Sequence, residues 1–274
     1  MNTTLDFPSF DEHFPELNQF IHELVDDYNA GRISSWDDLE GLVNDFFTPT
    51  RMDQMERRVP GWSEMSSYSN GITRVHVMCV FLGMYMMPEF INMPPYQQRL
   101  MKWVILFHDL AKFHIQGKKD TMHAFRSGVL AANLLTSLGF PGTEQYPDLI
   151  RSWSENTTQA FITHDVNTVP TPDNLKLPEI LAGIEQFYGE NTPATLIIKT
   201  VLLHISLHVD EMYPTPAPLT DDETKRYINS NLFPLLRVMM LSDNEGWSMF
   251  DHTTRARQRR DTLAAFEKVR KLIF

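Results

Sequence analysis

The stretch Phe107-His108-Asp109-Leu110-Ala111-Lys112 places a histidine beside an aspartate at the end of an apolar run over residues 100–107. Polar side chains in such surroundings need a partner, because an unpaired buried polar group costs free energy. Imidazole and carboxylate together suit a divalent cation such as zinc, iron or manganese. Lys112 follows His108 by one helical turn, so its ammonium can lie near the same point. The stretch therefore predicts a buried metal site on a helix.

The composition is that of one large acidic chain. Its 274 residues are 42% hydrophobic, enough to bury a sizeable core. The formal net charge of -11 argues against binding along a nucleic-acid backbone, since that affinity comes mainly from lysine and arginine. The single cysteine, Cys79, excludes a disulfide framework and a cysteine-based zinc site. The N-terminus has no signal-peptide pattern and the apolar runs are too short for a membrane span, so we expect a cytoplasmic protein.

Hydrophobic periodicity predicts helices along the whole chain. The expected helices cover residues 14–28, 36–46, 72–87, 97–107, 121–138, 146–164, 179–188, 192–212 and 231–240, and a last one begins near residue 251. Capping residues support several of these starts, among them Ser35, Asp120 and Thr220. The sequence has no alternating strand-like run, so we predict an all-α fold.

Histidines and aspartates recur at or near the ends of these apolar helices. The helix over 72–87 is apolar on nearly every side, yet it carries Arg74 and His76 in its first turns. The complete ordered series is His76, His108, Asp109, His123, His164 and Asp243. Its order carries more information than any single member.

This series resembles the HD superfamily of metal-dependent phosphohydrolases, all-α proteins with a histidine, a His-Asp doublet well downstream, optional further histidines and a distant aspartate. The matching motifs, between residues 66 and 246, are Arg74-Val75-His76-Val77, Phe107 to Lys112, Met122-His123-Ala124, Phe161-Ile162-Thr163-His164 and Leu241-Ser242-Asp243. The resemblance implies an HD-domain helical bundle over residues 61–274. Residues 1–60 would then form an N-terminal helical extension packed on that core.

The resemblance also implies a ligand set and a reaction. By it, His76, His108, Asp109 and Asp243 would hold one divalent ion (Fe, Mn, Zn, Co, Ni or Mg), and His123 and His164 would add a second ion bridged by Asp109. The expected activity is hydrolysis of a phosphoester, a nucleotide or cyclic nucleotide, by a metal-activated water. Lys112, Asp109 and His123 are the expected catalytic residues, and Arg74, Lys112 and Lys119 are expected to bind the phosphate.

Several alternatives stay open at this level. His204 and His208 are four residues apart and would share one face of the predicted helix 192–212, so His204 can replace His123 or His164 as a ligand. A branch of the same superfamily holds two irons with six histidine and aspartate ligands and acts as an oxygenase. A non-catalytic module that binds a nucleotide or metal is the third possibility. Each histidine can also be a hydrogen-bonded core residue, and Asp243 can simply cap its helix.

The last helix carries an arginine cluster, listed here as Arg255, Arg257, Arg259 and Arg260. We expect these side chains to form a solvated face, with a contact between subunits of a homo-oligomer as the alternative. The expected partner is a small phosphoester or nucleotide, with no membrane and no nucleic acid.

Overall fold

The computed structural model describes residues 6–65, 73–113, 120–143, 149–155, 173–209, 215 and 217–274. Within these ranges the regular structure is helical and no strand occurs, which confirms the all-α prediction. No helix in these ranges is both long and apolar enough to cross a membrane. The proposed division at residue 60 stays a prediction.

The helices follow one another with short connections. In the N-terminal part they are α1 (Phe10–His13), α2 (Pro15–Asn29), α3 (Trp36–Phe46) and α4 (Pro49–Arg58). The central ones are α5 (Thr73–Met86), α6 (Pro88–Ile91), α7 (Pro95–Phe107) and α8 (His123–Leu134). After these come α9 (Leu177–Tyr188), α10 (Pro193–Leu203), α11 (Asp221–Tyr227), α12 (Leu232–Ser248) and α13 (His252–Ile273). Residues 149–155 are also helical, and a 3-10 turn, Asn174–Lys176, precedes α9.

Local chemistry fixes where several helices begin. Thr220 and Glu223 form a capping box: the Thr220 hydroxyl accepts from the Glu223 N–H, and the Glu223 carboxylate accepts from the Thr220 N–H at 2.8 Å. Ser35 caps α3, and Asp251 caps α13. These starts agree with the sequence-based boundaries.

The core is built around α5, whose side chains are buried nearly all round. α12 packs along α5, while α10 packs on α8 and α7. Two glycines allow the close approach of α5 and α12. A Cβ atom at Gly246 would lie 2.5 Å from Val80 Cγ2, and one at Gly83 would lie 2.8 Å from Glu245 Cβ. The backbones are therefore closer than larger residues would permit.

Three predicted helices have different bounds in the structure. α8 begins at His123, because Asp120 binds the backbone N–H groups of Phe113 at 3.0 Å and Met122 at 3.2 Å and so closes a loop. The helix predicted to end at residue 212 ends at Leu203. α12 continues to Ser248, so the alternative that Asp243 caps this helix is wrong. Of the predicted helix 146–164, only residues 149–155 are described.

The arginines of α13 are largely engaged inside the molecule. Arg255 donates to the buried carboxylate of Glu245, and Arg259 binds both oxygens of Glu89 at 2.8 and 2.7 Å. Arg260, by contrast, is 72% exposed. The prediction of a solvated face is therefore wrong for Arg255 and Arg259, because their buried partners on α6 and α12 are far away in sequence.

Candidate metal centre

Side chains from five parts of the chain meet inside the helical core. His76 comes from α5, His123 from the start of α8 and Asp243 from the middle of α12. His108 and Asp109 lie in the turn that follows α7, and His204 directly follows α10. Two groups each have their ligand atoms within 4.8 Å of one another: His76 with His108 and Asp243, and Asp109 with His123 and His204.

The four residues predicted to hold the first ion are in contact. His76 Nε2 lies 2.9 Å from Asp243 Oδ1 and 3.6 Å from Asp109 Oδ2. His108 Nε2 lies 3.6 Å from Asp109 Oδ2 and 3.9 Å from Asp243 Oδ1. The predicted convergence of these four side chains is therefore present in the fold.

The second group lies on the other side of the Asp109 carboxylate. His123 Nε2 is 3.3 Å from Asp109 Oδ1, the oxygen that does not face His76 and His108. The ring of His204 lies 5.3 Å from that of His123 and 5.6 Å from that of His108, measured between centroids. Asp109 thus presents one oxygen to each group, as a bridging carboxylate does.

Backbone carbonyl groups orient three of the histidines. In each case Nδ1 bonds the carbonyl three residues earlier: His108 to Ile105 at 2.8 Å, His123 to Asp120 at 2.6 Å and His204 to Val201 at 2.6 Å. Because a carbonyl only accepts, we assign the proton to Nδ1, which leaves a lone pair on Nε2. Metal-ligating histidines are commonly held in this way.

The ligand atoms themselves lack partners within the described protein. His108 Nε2, His204 Nε2 and Asp109 Oδ1 are buried and form no hydrogen bond. Buried polar atoms are normally paired, since leaving them unpaired costs about 1–3 kcal/mol each. Imidazole nitrogens and carboxylate oxygens that surround one point are the donor set of a divalent cation. These residues therefore fit a metal ion.

Burial sets the protonation states. It lowers the pKa values of His76 and His123 and lowers that of His204 to about 4. Burial alone raises the pKa of Asp109, but Lys112 and then the nearby histidines lower it more strongly, and the net pKa lies well below its usual value. The site thus holds neutral imidazoles beside a charged carboxylate at neutral pH, the forms that bind metals.

No protein-family model, curated protein or solved structure matches this chain. The relation to the HD superfamily accordingly remains a resemblance of motifs. The geometry of the cluster is the evidence from which function is argued below.

Lys112 lies at the edge of the cluster. Its Nζ donates to Asp109 Oδ2 at 2.7 Å. The turn that carries both residues is held by α8, since the Ala111 N–H donates to Ser127 Oγ at 3.0 Å and Arg126 donates to the Ala111 carbonyl. This anchoring gives the turn a defined position relative to His123.

Other predicted residues are not brought to the cluster. Arg74 lies in the first turn of α5, with a buried Nε that has no hydrogen-bond partner, and no contact with the cluster occurs among the described residues. Lys119 and His164 lie outside the described residues. His208 is exposed, and the prediction that it shares a helix face with His204 is wrong because α10 ends before both.

Trp247 is the neighbour that sequence reasoning missed. Its ring stacks on that of His76, with centroids 4.1 Å apart and planes inclined by 22°. The signal was its position four residues after Asp243, which places both on one face of a continuous helix. This signal was hidden because the helix was predicted to end before Asp243.

Proposed function

We propose that this protein is a metal-dependent phosphohydrolase that acts on a phosphoester, with a nucleotide or cyclic nucleotide as substrate. One or two divalent ions would be held by six residues: His76, His108, Asp109, His123, His204 and Asp243. The observation that carries the proposal is the position of Asp109, whose two oxygens face two separate histidine groups.

The chemistry of the site suits phosphoryl transfer to water. A bound divalent cation lowers the pKa of a coordinated water and offsets charge on the phosphoryl oxygens. Lys112 adds a cationic group that can bind a phosphate oxygen. The Nε2 atom of His123 faces Asp109, which supports a role as ligand more directly than the catalytic role expected from the motif.

Elemental analysis tests the metal site first. Protein purified without added metal, or reconstituted with Mn, Co, Ni or Fe, should contain one or two ions per chain. The Asp109→Ala variant should lose them, whereas Asp53→Ala, which removes an exposed carboxylate on α4, should not. A folded wild-type protein that takes up none of these metals would refute the proposal.

Turnover is the second test. The reconstituted protein should hydrolyse at least one member of a panel of nucleotides, cyclic nucleotides and chromogenic phosphodiesters, and Asp109→Ala should not. Binding of a nucleotide without turnover across the panel would instead indicate a non-catalytic binding module.

A di-iron oxygenase is the second candidate, because His204 raises the described ligand set to six residues. Bound iron together with oxygen consumption on a polyol or a phosphonate would favour it. Phosphoester turnover without oxygen uptake would exclude it.

A further inference from the structure

The cluster is accessible from one side. The side chains of His76, His108 and Asp109 are at most 2% exposed. Those of Asp243 and Lys112 are 21% and 13% exposed. A substrate that reaches the cluster must therefore pass these two residues.

Trp247 lies on this accessible side. Lys112 Nζ is 5.0 Å from the centre of its ring, and the ring also covers His76. Trp247 is 37% exposed, whereas the other four tryptophans are buried or half-buried. Tryptophan is rarely left open to water without a function, because its apolar ring gains free energy from burial.

Helix packing determines where this ring stands. A Cβ atom at the preceding residue, Gly246, would lie 3.1 Å from His76 Cε1 and 2.5 Å from Val80 Cγ2. The backbone of α12 therefore touches α5 immediately beside His76. Since the attachment point of Trp247 is fixed by this contact, its ring is held over the site in a defined place.

We propose that Lys112 and Trp247 form a two-part substrate subsite at the open side of the cluster. The ammonium of Lys112 binds the phosphate, and the exposed part of the indole stacks on the planar base of a nucleotide. This inference rests on the proposed function and narrows it, since it selects nucleotides over phosphoesters without a base. Stacking of a base on an aromatic side chain is worth about 1–3 kcal/mol, which corresponds to roughly 5- to 150-fold in affinity.

The test compares AMP with ribose 5-phosphate, which has the same primary phosphate monoester but no base. In the metal-reconstituted protein, Trp247→Leu should raise KM for AMP by roughly 5- to 150-fold and leave KM for ribose 5-phosphate within about twofold. Trp247→Phe should retain most of the AMP affinity because the ring is kept. Trp36→Phe, which removes a half-buried tryptophan of α3, is the control and should alter neither.

A binding measurement keeps this inference separate from the proposed function. AMP should quench the tryptophan fluorescence of the wild-type protein, and Trp247→Phe should remove that quenching. Equal loss of both substrates in Trp247→Leu would show that the ring acts only through His76, and no loss would show that it is not a contact; either result overturns the inference. If the wild-type protein hydrolyses neither compound, the proposed function fails for monoesters, and the quenching by AMP against ribose 5-phosphate still decides the subsite.

Discussion

His76 of α5 lies 2.9 Å from Asp243 of α12, although 167 positions separate them in the sequence. Gly246 makes this contact possible, because its missing side chain lets the two helices approach beside His76. The metal cluster therefore depends on a helix crossing as well as on its ligands.

Gly246→Ala tests this dependence. The added Cβ would collide with Val80, so we expect a loss of about 1–3 kcal/mol in the free energy of unfolding and a weaker affinity for metal. The measurements are urea denaturation and metal titration. Gly41→Ala is the matched control, since a Cβ there meets nothing within 4 Å, and it should stabilise α3 by up to about 1 kcal/mol. Equal effects of the two substitutions would contradict this account.

Metal removal should lower the stability of the protein. A ligand that binds only the folded state stabilises it by about 2.7 kcal/mol at a free concentration 100 times its Kd. We therefore expect EDTA to lower Tm and Mn, Co or Ni to restore it. Asp243→Asn should lose this response, while Asp45→Asn, which changes an exposed carboxylate of α3, should keep it. An unchanged response in Asp243→Asn would remove this residue from the ligand set.

The metal-free protein should lose stability on acidification. The pKa of His204 falls from 6.5 to about 4 in the folded protein because burial disfavours the charged ring. Between these values the unfolded chain binds a proton that the folded chain does not, so stability is full above pH 6.5 and declines toward pH 4. One pKa unit equals about 1.4 kcal/mol, so this residue contributes on the order of 3 kcal/mol.

Urea denaturation between pH 7.5 and 4.5, in the presence of EDTA, measures this decline. His204→Gln should flatten the curve in that range. Exposed His208→Gln is the control and should leave the curve as steep as in the wild type. A curve of unchanged slope in His204→Gln would show that this histidine is not buried in its neutral form.

The ion pairs of α13 should contribute to stability. Arg255 is 22% exposed and pairs with Glu245, which is 6% exposed, so Arg255→Met would leave a nearly buried carboxylate without this partner. We expect a loss of about 2–4 kcal/mol, somewhat less than for a fully buried pair. Arg260→Met, at a position 72% exposed, should change stability by less than about 0.5 kcal/mol. Chemical denaturation distinguishes these outcomes, and similar small changes in both would restore the prediction of a solvated face.

Local patterns in the sequence were sufficient for the fold class, most helix positions and the four predicted ligands of the first ion. Helical periodicity and capping depend on residues within a few positions of one another, as Thr220 and Glu223 illustrate. Histidine and aspartate in apolar runs reveal a buried polar site, because such groups are not left unpaired in a core.

Only the tertiary structure decided how these pieces combine. His204 entered the cluster because α10 ends where its ring reaches His123, and Trp247 covers His76 because α12 continues past Asp243 and lies close to α5. The buried partners of Arg255 and Arg259 were equally invisible in the sequence. The physical reason is common to all three cases: contacts between distant segments depend on how the helices cross, and no short-range pattern records that crossing.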